Sequence, residues 1–120
     1  MAEILIIDDE PAIRDLLVRV LHKAGHTGYE AANGDEGIEL FRRVRPALVI
    51  TDIVMPDIEG IEVIRRLRQA DPMVPILAIS GSGKPLYLRA ATTLGATAAL
   101  AKPFDIAEFL SVVGRLLDTA

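Results

Sequence analysis

The chain carries at residues 3–11 the stretch EILIIDDEP, in which four aliphatic residues are followed directly by three acidic residues and a proline. An uninterrupted aliphatic run such as Ile4–Ile7 is typical of a parallel strand that is buried on both faces. Pro11 is suited to the first turn of a helix, and apolar residues recur after it at helical spacing until Gly25. The stretch therefore predicts a βα unit: a buried strand, an acidic turn and an amphipathic helix.

The same alternation of a short apolar run and a helical pattern occurs five times along the chain. Strands separated by helices require parallel crossovers, which are right-handed. The prediction is an α/β fold, (βα)5 and doubly wound, with a five-stranded parallel sheet in the order 2-1-3-4-5, which is one of the two common orders. Strands are predicted at 3–7, 27–31 (a weaker, edge strand), 47–50, 75–79 and 97–100. Helices are predicted at 11–24, from a turn at 33–35 through 43, and at 61–70, 85–94 and 105–117, with Asp105 as an N-cap or first-turn anion.

Composition limits the classes of protein that this chain can represent. Its 120 residues fit one domain, 1–120, and the absence of Cys excludes disulfide scaffolds and thiolate metal sites. A net charge of −4 argues against nucleic acid or an anionic membrane as a direct partner. No apolar run approaches the ~20 residues that span a bilayer, and Met1-Ala2-Glu3 lacks the basic region of a signal peptide. We expect a cytoplasmic globular domain.

Polar residues follow the ends of four predicted strands. Asp8-Asp9-Glu10 follows the first strand, Asp52 the third, Ser80 the fourth, and Lys102-Pro103 the fifth. In an open parallel sheet, ligands bind beyond the carboxyl ends of the strands, where the strand order reverses. We therefore expect these carboxylates, the hydroxyl and the ammonium to meet at one edge of the sheet.

A cluster of carboxylates at this edge has a defined chemistry. Asp8, Asp9 and Asp52 repel one another, which raises carboxyl pKa values unless a cation is present. Mg²⁺ prefers such oxygen ligands and leaves coordination positions for a phosphoryl oxygen. A carboxylate can also attack phosphorus and form an aspartyl phosphate. Each residue alone is equally compatible with a turn or a helix cap, so the joint pattern at the strand ends carries the prediction.

Four segments then resemble the receiver domain of two-component response regulators, specifically the stand-alone, chemotaxis-regulator-like type. They are IIDDEP at 6–11, TDIVMP at 51–56 with Gly60 following, Ser80, and AKPF at 101–104. The resemblance covers the whole chain and implies the flavodoxin-like receiver fold. It also implies a phosphodonor, either a histidine kinase or a histidine phosphotransfer protein, and a downstream protein target.

The resemblance assigns roles to the site residues. It implies that Asp52 accepts the phosphoryl group, and that Mg²⁺ is bound by Asp9, Asp52 and the backbone carbonyl of Val54. Asp8 would assist, often through water. Lys102 would pair with the phosphoryl oxygens, and Ser80 would turn inward to bond one of them. The family's Lys-Pro peptide, here 102–103, is typically cis.

Two positions depart from the family's pattern. Ala99 stands where the family usually has an aromatic residue or His on the fifth strand, so phosphorylation is not expected to bury a ring there. The output face formed by the fourth helix, fifth strand and fifth helix is then expected to be smooth, with Tyr87 as an alternative partial substitute. Val54 is apolar where polar residues can position water, which leads to the hypothesis of slow dephosphorylation.

Other functions remain as alternatives. Ala99 favours a pseudo-receiver, a constitutive protein-interaction module that is never phosphorylated, whereas the acidic pocket and Lys102 argue against it. A phosphatase with an Asp nucleophile would require Asp-x-Asp after the first strand, where this chain has Asp8-Asp9-Glu10. A flavodoxin-type phosphate loop and a P-loop are absent from the sequence. The leading prediction is a receiver that modifies itself and slowly hydrolyses its phosphoryl group, is not a metabolic enzyme, and is a monomer or weak dimer.

Overall fold

Within its described residues, the chain alternates five strands with five helices. The structure is a computed structural model that describes residues 1–53, 60–81 and 85–118, with the backbone alone at 85–88. The strands are β1 (Glu3–Ile7), β2 (Thr27–Ala31), β3 (Leu48–Asp52), β4 (Ile76–Ser80) and β5 (Ala98–Ala101). The helices are α1 (Pro11–Lys23), α2 (Gly34–Val44), α3 (Gly60–Ala70), α4 (Pro85–Thr93) and α5 (Ile106–Asp118). The predicted elements are confirmed, and their ends differ from the predicted ends by two residues or fewer.

The five strands form one parallel sheet in the order β2-β1-β3-β4-β5. This is the order 2-1-3-4-5, and it makes β2 an edge strand, as predicted. The register pairs Ile7 of β1 with Thr51 of β3, and Asp52 of β3 with Ile79 of β4. The strands therefore end nearly level with one another, which brings the residues that follow β1, β3 and β4 to the same edge.

The core consists of two apolar layers, one on each face of the sheet. Leu5 and Ile7 of β1 belong to the layer that also contains residues of α2 and α3, including Phe41 and Ile64. Ile4 and Ile6 point to the opposite face, where residues of α1 and α5 cover them. All four β1 side chains are fully buried, which is why this strand lacks the alternation of a half-exposed strand. The core is built mainly from Ile, Leu, Val and Ala, as the composition suggests.

The helix ends follow their local sequence. The Asn33 side chain accepts a hydrogen bond from the Glu36 N–H at 2.8 Å, and Asp105 accepts one from the Glu108 N–H at 2.6 Å. The predicted capping role of Asp105 is thereby confirmed. After α1 and α4 the chain turns at Gly25 and Gly95, whose φ angles of 91° and 124° favour glycine. No helix within the described residues is long and apolar enough to cross a bilayer.

Gly60 begins α3 and packs directly against the end of β3. Its N–H donates a hydrogen bond to the carbonyl oxygen of Ile53 at 2.6 Å. A Cβ at this position would overlap the carbonyl oxygen of Asp52 and the backbone of Ile53. A residue with a side chain would therefore force apart the start of α3 and the strand end that carries Asp52.

We expect Gly60→Ala to destabilise the protein by roughly 1–3 kcal/mol, because the added methyl group meets backbone that cannot turn aside. The matched control is Gly114→Ala in α5, where a Cβ would have no neighbour within 4 Å. That change should stabilise the protein by about 0.5–1 kcal/mol through helix propensity. Urea unfolding of both variants measures the two shifts, and equal shifts of one sign would contradict this description of Gly60.

His26 ties the N-terminus to the turn after α1, since its Nδ1 accepts a hydrogen bond from the Ala2 N–H at 3.1 Å. Burial, aided by the nearby N-terminal ammonium, lowers the pKa of His26 from its ordinary value of 6.5. A group whose pKa is lower in the folded state stabilises that state at pH values above its unfolded-state pKa. This contribution is lost as the pH falls through the folded-state pKa.

The free energy of unfolding should therefore fall between about pH 7.5 and pH 5.5 by more in the parent than in His26→Gln. The reason is that protonation removes the Nδ1 acceptor, whereas a glutamine does not titrate. The control is His22→Gln, at an exposed position near the end of α1, which should keep the pH dependence due to His26. Urea unfolding at the two pH values makes the measurement, and identical pH dependence in parent and His26→Gln would rule out this contribution.

Candidate functional site

Four polar residues come together at the carboxyl edge of the sheet. Asp8 follows β1, Asp52 ends β3, Ser80 ends β4, and Lys102 follows β5. The residues Asp8, Asp52 and Ser80 are almost completely buried, at 2%, 6% and 1% relative exposure. The predicted meeting of these residues is confirmed by their placement, because neighbouring parallel strands end at one level.

The ammonium of Lys102 lies between the two buried carboxylates. Its Nζ is 3.4 Å from Asp8 Oδ2 and 3.4 Å from Asp52 Oδ2. Glu10 Oε1 is 3.7 Å from the same nitrogen. The Lys102 backbone N–H also donates to the Ser80 carbonyl oxygen at 2.7 Å, which ties the segment after β5 to β4. The Lys102–Pro103 peptide is cis, as the resemblance implies.

The buried charges shift each other's protonation. Burial raises the pKa of the Asp8 carboxyl, and Asp52 adds to this, while the Glu10 N–H bond and Lys102 act in the opposite direction. Burial by itself would lower the pKa of Lys102, but the negative charges of Asp52 and Asp8 outweigh it and raise that pKa. Lys102 therefore stays charged, and it is one ammonium facing three carboxyl groups.

A third carboxylate joins the two aspartates. Oxygen atoms of Asp8, Glu10 and Asp52 all lie within 4.8 Å of one another. Such a set of hard oxygen donors, two of them buried, fits a divalent cation such as Mg²⁺. Sequence reasoning did not assign a ligand role to Glu10, and the signal available for it was its place in the acidic run after β1.

Two predicted metal ligands, Asp9 and Val54, are not found in this cluster of described residues. Asp9 is partly buried, and among the described residues it is not in the cluster formed by the other three carboxylates. Val54, predicted to offer its carbonyl oxygen, lies outside the described residues. The ligand roles of Asp9 and Val54 therefore stay predictions.

The hydroxyl of Ser80 has no hydrogen-bond partner among the described residues, although it is buried. A buried hydroxyl without a hydrogen bond lowers the stability of the folded state by roughly 1–3 kcal/mol. A functional role for this hydroxyl would explain why the fold tolerates that cost. Ser80 lies on β4, which pairs directly with the strand that carries Asp52, at the edge of the sheet where the charged groups meet. Its hydroxyl can donate to an anionic group that arrives at this site.

Ala99 lies on β5, where it is partly buried and packs against the core layer that includes Ala78 and Ala91. Because the Ala99 side chain is a methyl group, this position of β5 has no aromatic ring that could move between a buried and an exposed position, as expected from the sequence. The side chain of Tyr87, the alternative substitute, lies outside the described residues.

Comparison with known proteins then decides the family. The model for the family described as response regulator receiver domain matches residues 4–114. The chain belongs to the receiver domain family. Receiver domains such as the chemotaxis protein CheY are signalling proteins of two-component systems and are not metabolic enzymes. In this receiver domain the acidic pocket consists of Asp8, Glu10 and Asp52, whose oxygen atoms lie close enough together to hold a divalent cation.

Several relatives resemble this receiver domain over most of their length. It is 35% identical to Sporulation initiation phosphotransferase F of Bacillus subtilis, over 96% of this chain and 93% of that protein. It is 31% identical to chemotaxis protein CheY of Thermotoga maritima, over 94% of this chain and 95% of that one. The solved receiver domain of NtrX from Brucella abortus has a TM-score of 0.94 at 30% identity, covering 98% and 99% of the two chains.

Other relatives are longer proteins of which the receiver domain is a part. The chain spans between 24% and 49% of four transcriptional regulators that it matches. The receiver domain therefore occurs in proteins with different printed functions, and the family alone does not assign an output to this chain.

We expect Lys102→Met to bind Mg²⁺ more tightly than the parent, because the ammonium competes with the cation for Asp8 and Asp52. The gain should be about fivefold or more, since a unit charge about 4 Å away is worth about 1 kcal/mol even in bulk water. Without Mg²⁺ the same variant should unfold at a lower temperature, because two buried carboxylates lose their counter-charge.

The matched control is Lys23→Met, at an exposed position in the last turn of α1. It should change neither the Mg²⁺ affinity nor the stability appreciably. Calorimetric titration with Mg²⁺ and thermal unfolding in a chelator measure both quantities. Weaker Mg²⁺ binding in Lys102→Met than in the parent would contradict the competition between the two cations.

Proposed function

We propose that this receiver domain takes a phosphoryl group onto Asp52 in a Mg²⁺-dependent reaction and thereby switches its binding to a partner protein. The observation that carries the proposal is the placement of the Lys102 ammonium 3.4 Å from both Asp8 and Asp52, inside a mostly buried acidic pocket. Such a pocket holds a carboxylate nucleophile beside an ammonium that offsets part of the charge of an incoming phosphoryl group. The family match supports the same conclusion.

The transfer uses groups that this chain supplies. A carboxylate oxygen of Asp52 attacks the phosphorus of a phosphohistidine, and the new P–O bond forms as the P–N bond breaks. The electron pair of the broken bond leaves on the imidazole nitrogen of the donor. Lys102 then moves its charge from the carboxylates to the phosphoryl oxygens. Catalysis in such a transfer consists mostly of positioning and charge neutralisation.

The cation would be held by the acidic residues of the pocket. We propose Asp8, Asp9, Asp52 and the carbonyl of Val54 as its ligands, and the structure adds Glu10 to the carboxylates within reach. When bound, Mg²⁺ supplies positive charge to the phosphoryl oxygens and offsets the repulsion among the carboxylates. This arrangement also explains why so many acidic groups can be kept together at one strand edge.

Ser80 would report the phosphorylated state. Its buried hydroxyl, unpaired among the described residues, is available to donate to a phosphoryl oxygen on Asp52. Because Ala99 offers no ring, the change would pass to the surface through Ser80 itself. Val54, lacking a polar side chain, would leave water poorly positioned and make autodephosphorylation slow.

The partners follow from this chemistry. The phosphodonor would be a histidine kinase or a histidine phosphotransfer protein, and the output a downstream protein. The net charge of −4 favours no direct contact with nucleic acid or membrane, in a cytoplasmic protein that is a monomer or weak dimer. We propose a single receiver domain over residues 1–120. A pseudo-receiver that binds a partner without phosphorylation is the second candidate, favoured by Ala99 alone.

Incubation with Mg²⁺ and acetyl phosphate should add one phosphoryl group to the parent protein and none to Asp52→Asn, because an amide is a poor nucleophile. Intact mass measures the addition directly. The control is Asp15→Asn, which removes an exposed carboxylate of α1 outside the pocket and should be labelled like the parent. If none of the three proteins gains mass although the parent binds Mg²⁺, the pseudo-receiver becomes the better description.

A further inference from the structure

Arg14 occupies an unusual place for a cation. It is the fourth residue of α1, which begins at Pro11, so its charge lies near the positive end of the helix dipole. Helical side chains tilt towards the N-terminus of their helix, and the Arg14 side chain therefore reaches back towards the acidic turn after β1. Although charged, it is only 16% exposed. A favourable contact in that direction has to compensate for the dipole and for the burial.

That contact is made to the backbone of the acidic site. An Arg14 guanidinium N–H, on the Nη1 atom, donates to the carbonyl oxygen of Asp8 at 2.7 Å. The Nε–H of the same side chain donates to Glu30 Oε1 of β2 at 3.3 Å. The first bond is short and shielded, whereas the Glu30 side chain is 44% exposed, so the bond to Asp8 is the stronger of the two.

The other polar atoms of Asp8 are held as well. Its N–H donates to the Ala31 carbonyl oxygen at 3.1 Å, and its Oδ1 accepts from the Glu10 N–H at 2.9 Å. Its Oδ2 lies 3.4 Å from the Lys102 ammonium. With the backbone and Oδ1 fixed, Oδ2 is the oxygen that Asp8 presents to the centre of the pocket. Arg14 contributes a side-chain hydrogen bond to the Asp8 carbonyl oxygen, which restrains the backbone of Asp8.

The carbonyl that Arg14 holds has a further consequence. It belongs to the peptide group that joins Asp8 to Asp9, and a peptide group is planar. Fixing this oxygen therefore fixes the orientation of the N–H at the other end of the same plane and the direction in which the chain leaves Asp8. The positions of both Asp9 and Glu10, which follow immediately, depend on that direction.

We propose that Arg14 is a positioning residue of the acidic pocket, which orients the Asp8–Asp9 peptide so that the carboxylates of Asp8 and Glu10 converge on one divalent cation. This inference rests on the proposed function, since it assigns Arg14 to the cation-binding step of that reaction. Arg14 touches neither the acceptor carboxylate nor the phosphoryl group in this role. It acts through the Asp8 carbonyl.

A role of Arg14 as a positive charge and a role in positioning predict opposite effects on the Mg²⁺ affinity when Arg14 is removed. If Arg14 acted only as a nearby positive charge, its removal would strengthen Mg²⁺ binding. If it only clamped α1 to the edge strand, its removal would lower the stability and leave the Mg²⁺ affinity unchanged. Loss of an outer group that orients metal ligands weakens metal binding, typically by about 10–100-fold.

The experiment compares Arg14→Met, Arg14→Lys and Glu30→Gln with the parent. Mg²⁺ dissociation constants come from titrations followed by backbone amide NMR, and thermal unfolding in a chelator reports stability. Arg14→Met should bind Mg²⁺ at least about tenfold more weakly. Arg14→Lys should recover part of this loss through one N–H bond to Asp8. Glu30→Gln keeps the Arg14 bond to Asp8 and should stay within about twofold of the parent, since exposed ion pairs are worth little.

Equal or tighter Mg²⁺ binding by Arg14→Met would overturn the proposal, whatever its stability. If that variant does not fold, Arg14→Gln takes its place with the same expected and overturning results. Acetyl phosphate labelling of the parent separates this inference from the proposed function. A parent that binds Mg²⁺ but is not labelled contradicts phosphotransfer alone, whereas a parent that does not bind Mg²⁺ contradicts both.

Discussion

The mutual repulsion of two buried carboxylates, Asp8 and Asp52, is the constraint on which the site depends. Burial favours the neutral form of each, and each disfavours the charged form of the other. The Lys102 ammonium, 3.4 Å from both, offsets part of this cost. With Glu10 also within reach, the pocket still holds more negative than positive groups. In the proposed function, a divalent cation or a phosphoryl group would be accommodated by rearranging charges that are already in place.

The sheet is what forces these charges together. Parallel strands that are buried on both faces end at one level, and β1, β3, β4 and β5 deliver Asp8, Asp52, Ser80 and Lys102 to a common edge. The close approach of Gly60 to the end of β3 keeps α3 against that edge. The free energy of burying the aliphatic strands thus stabilises an arrangement of charges that would be unfavourable by itself.

Signalling requires that this arrangement have two states of similar free energy. The Lys102 ammonium is shared between two carboxylates, and the Ser80 hydroxyl lacks a partner among the described residues. Under the proposed phosphorylation of Asp52, both groups would be available to make new contacts. Ala99 offers no ring at the position of β5 where the resemblance implies an aromatic residue or His. The backbone around Asp8, by contrast, is held by Ala31 and Arg14 and provides the fixed side of the site.

The sequence by itself determined the alternation of strands and helices, the burial of β1, and the set of residues at the carboxyl edge. These features follow from local periodicity and from the polar residues that come directly after each apolar run, which are properties of short segments. The sequence also predicted the strand order 2-1-3-4-5 from two common choices, and the tertiary structure confirmed it by showing which strands pair across the sheet. The tertiary structure also brought Glu10 rather than Asp9 into the carboxylate cluster with Asp8 and Asp52. That difference depends on the direction of the chain after β1, which is set by contacts to β2 and to Arg14 that no local pattern encodes.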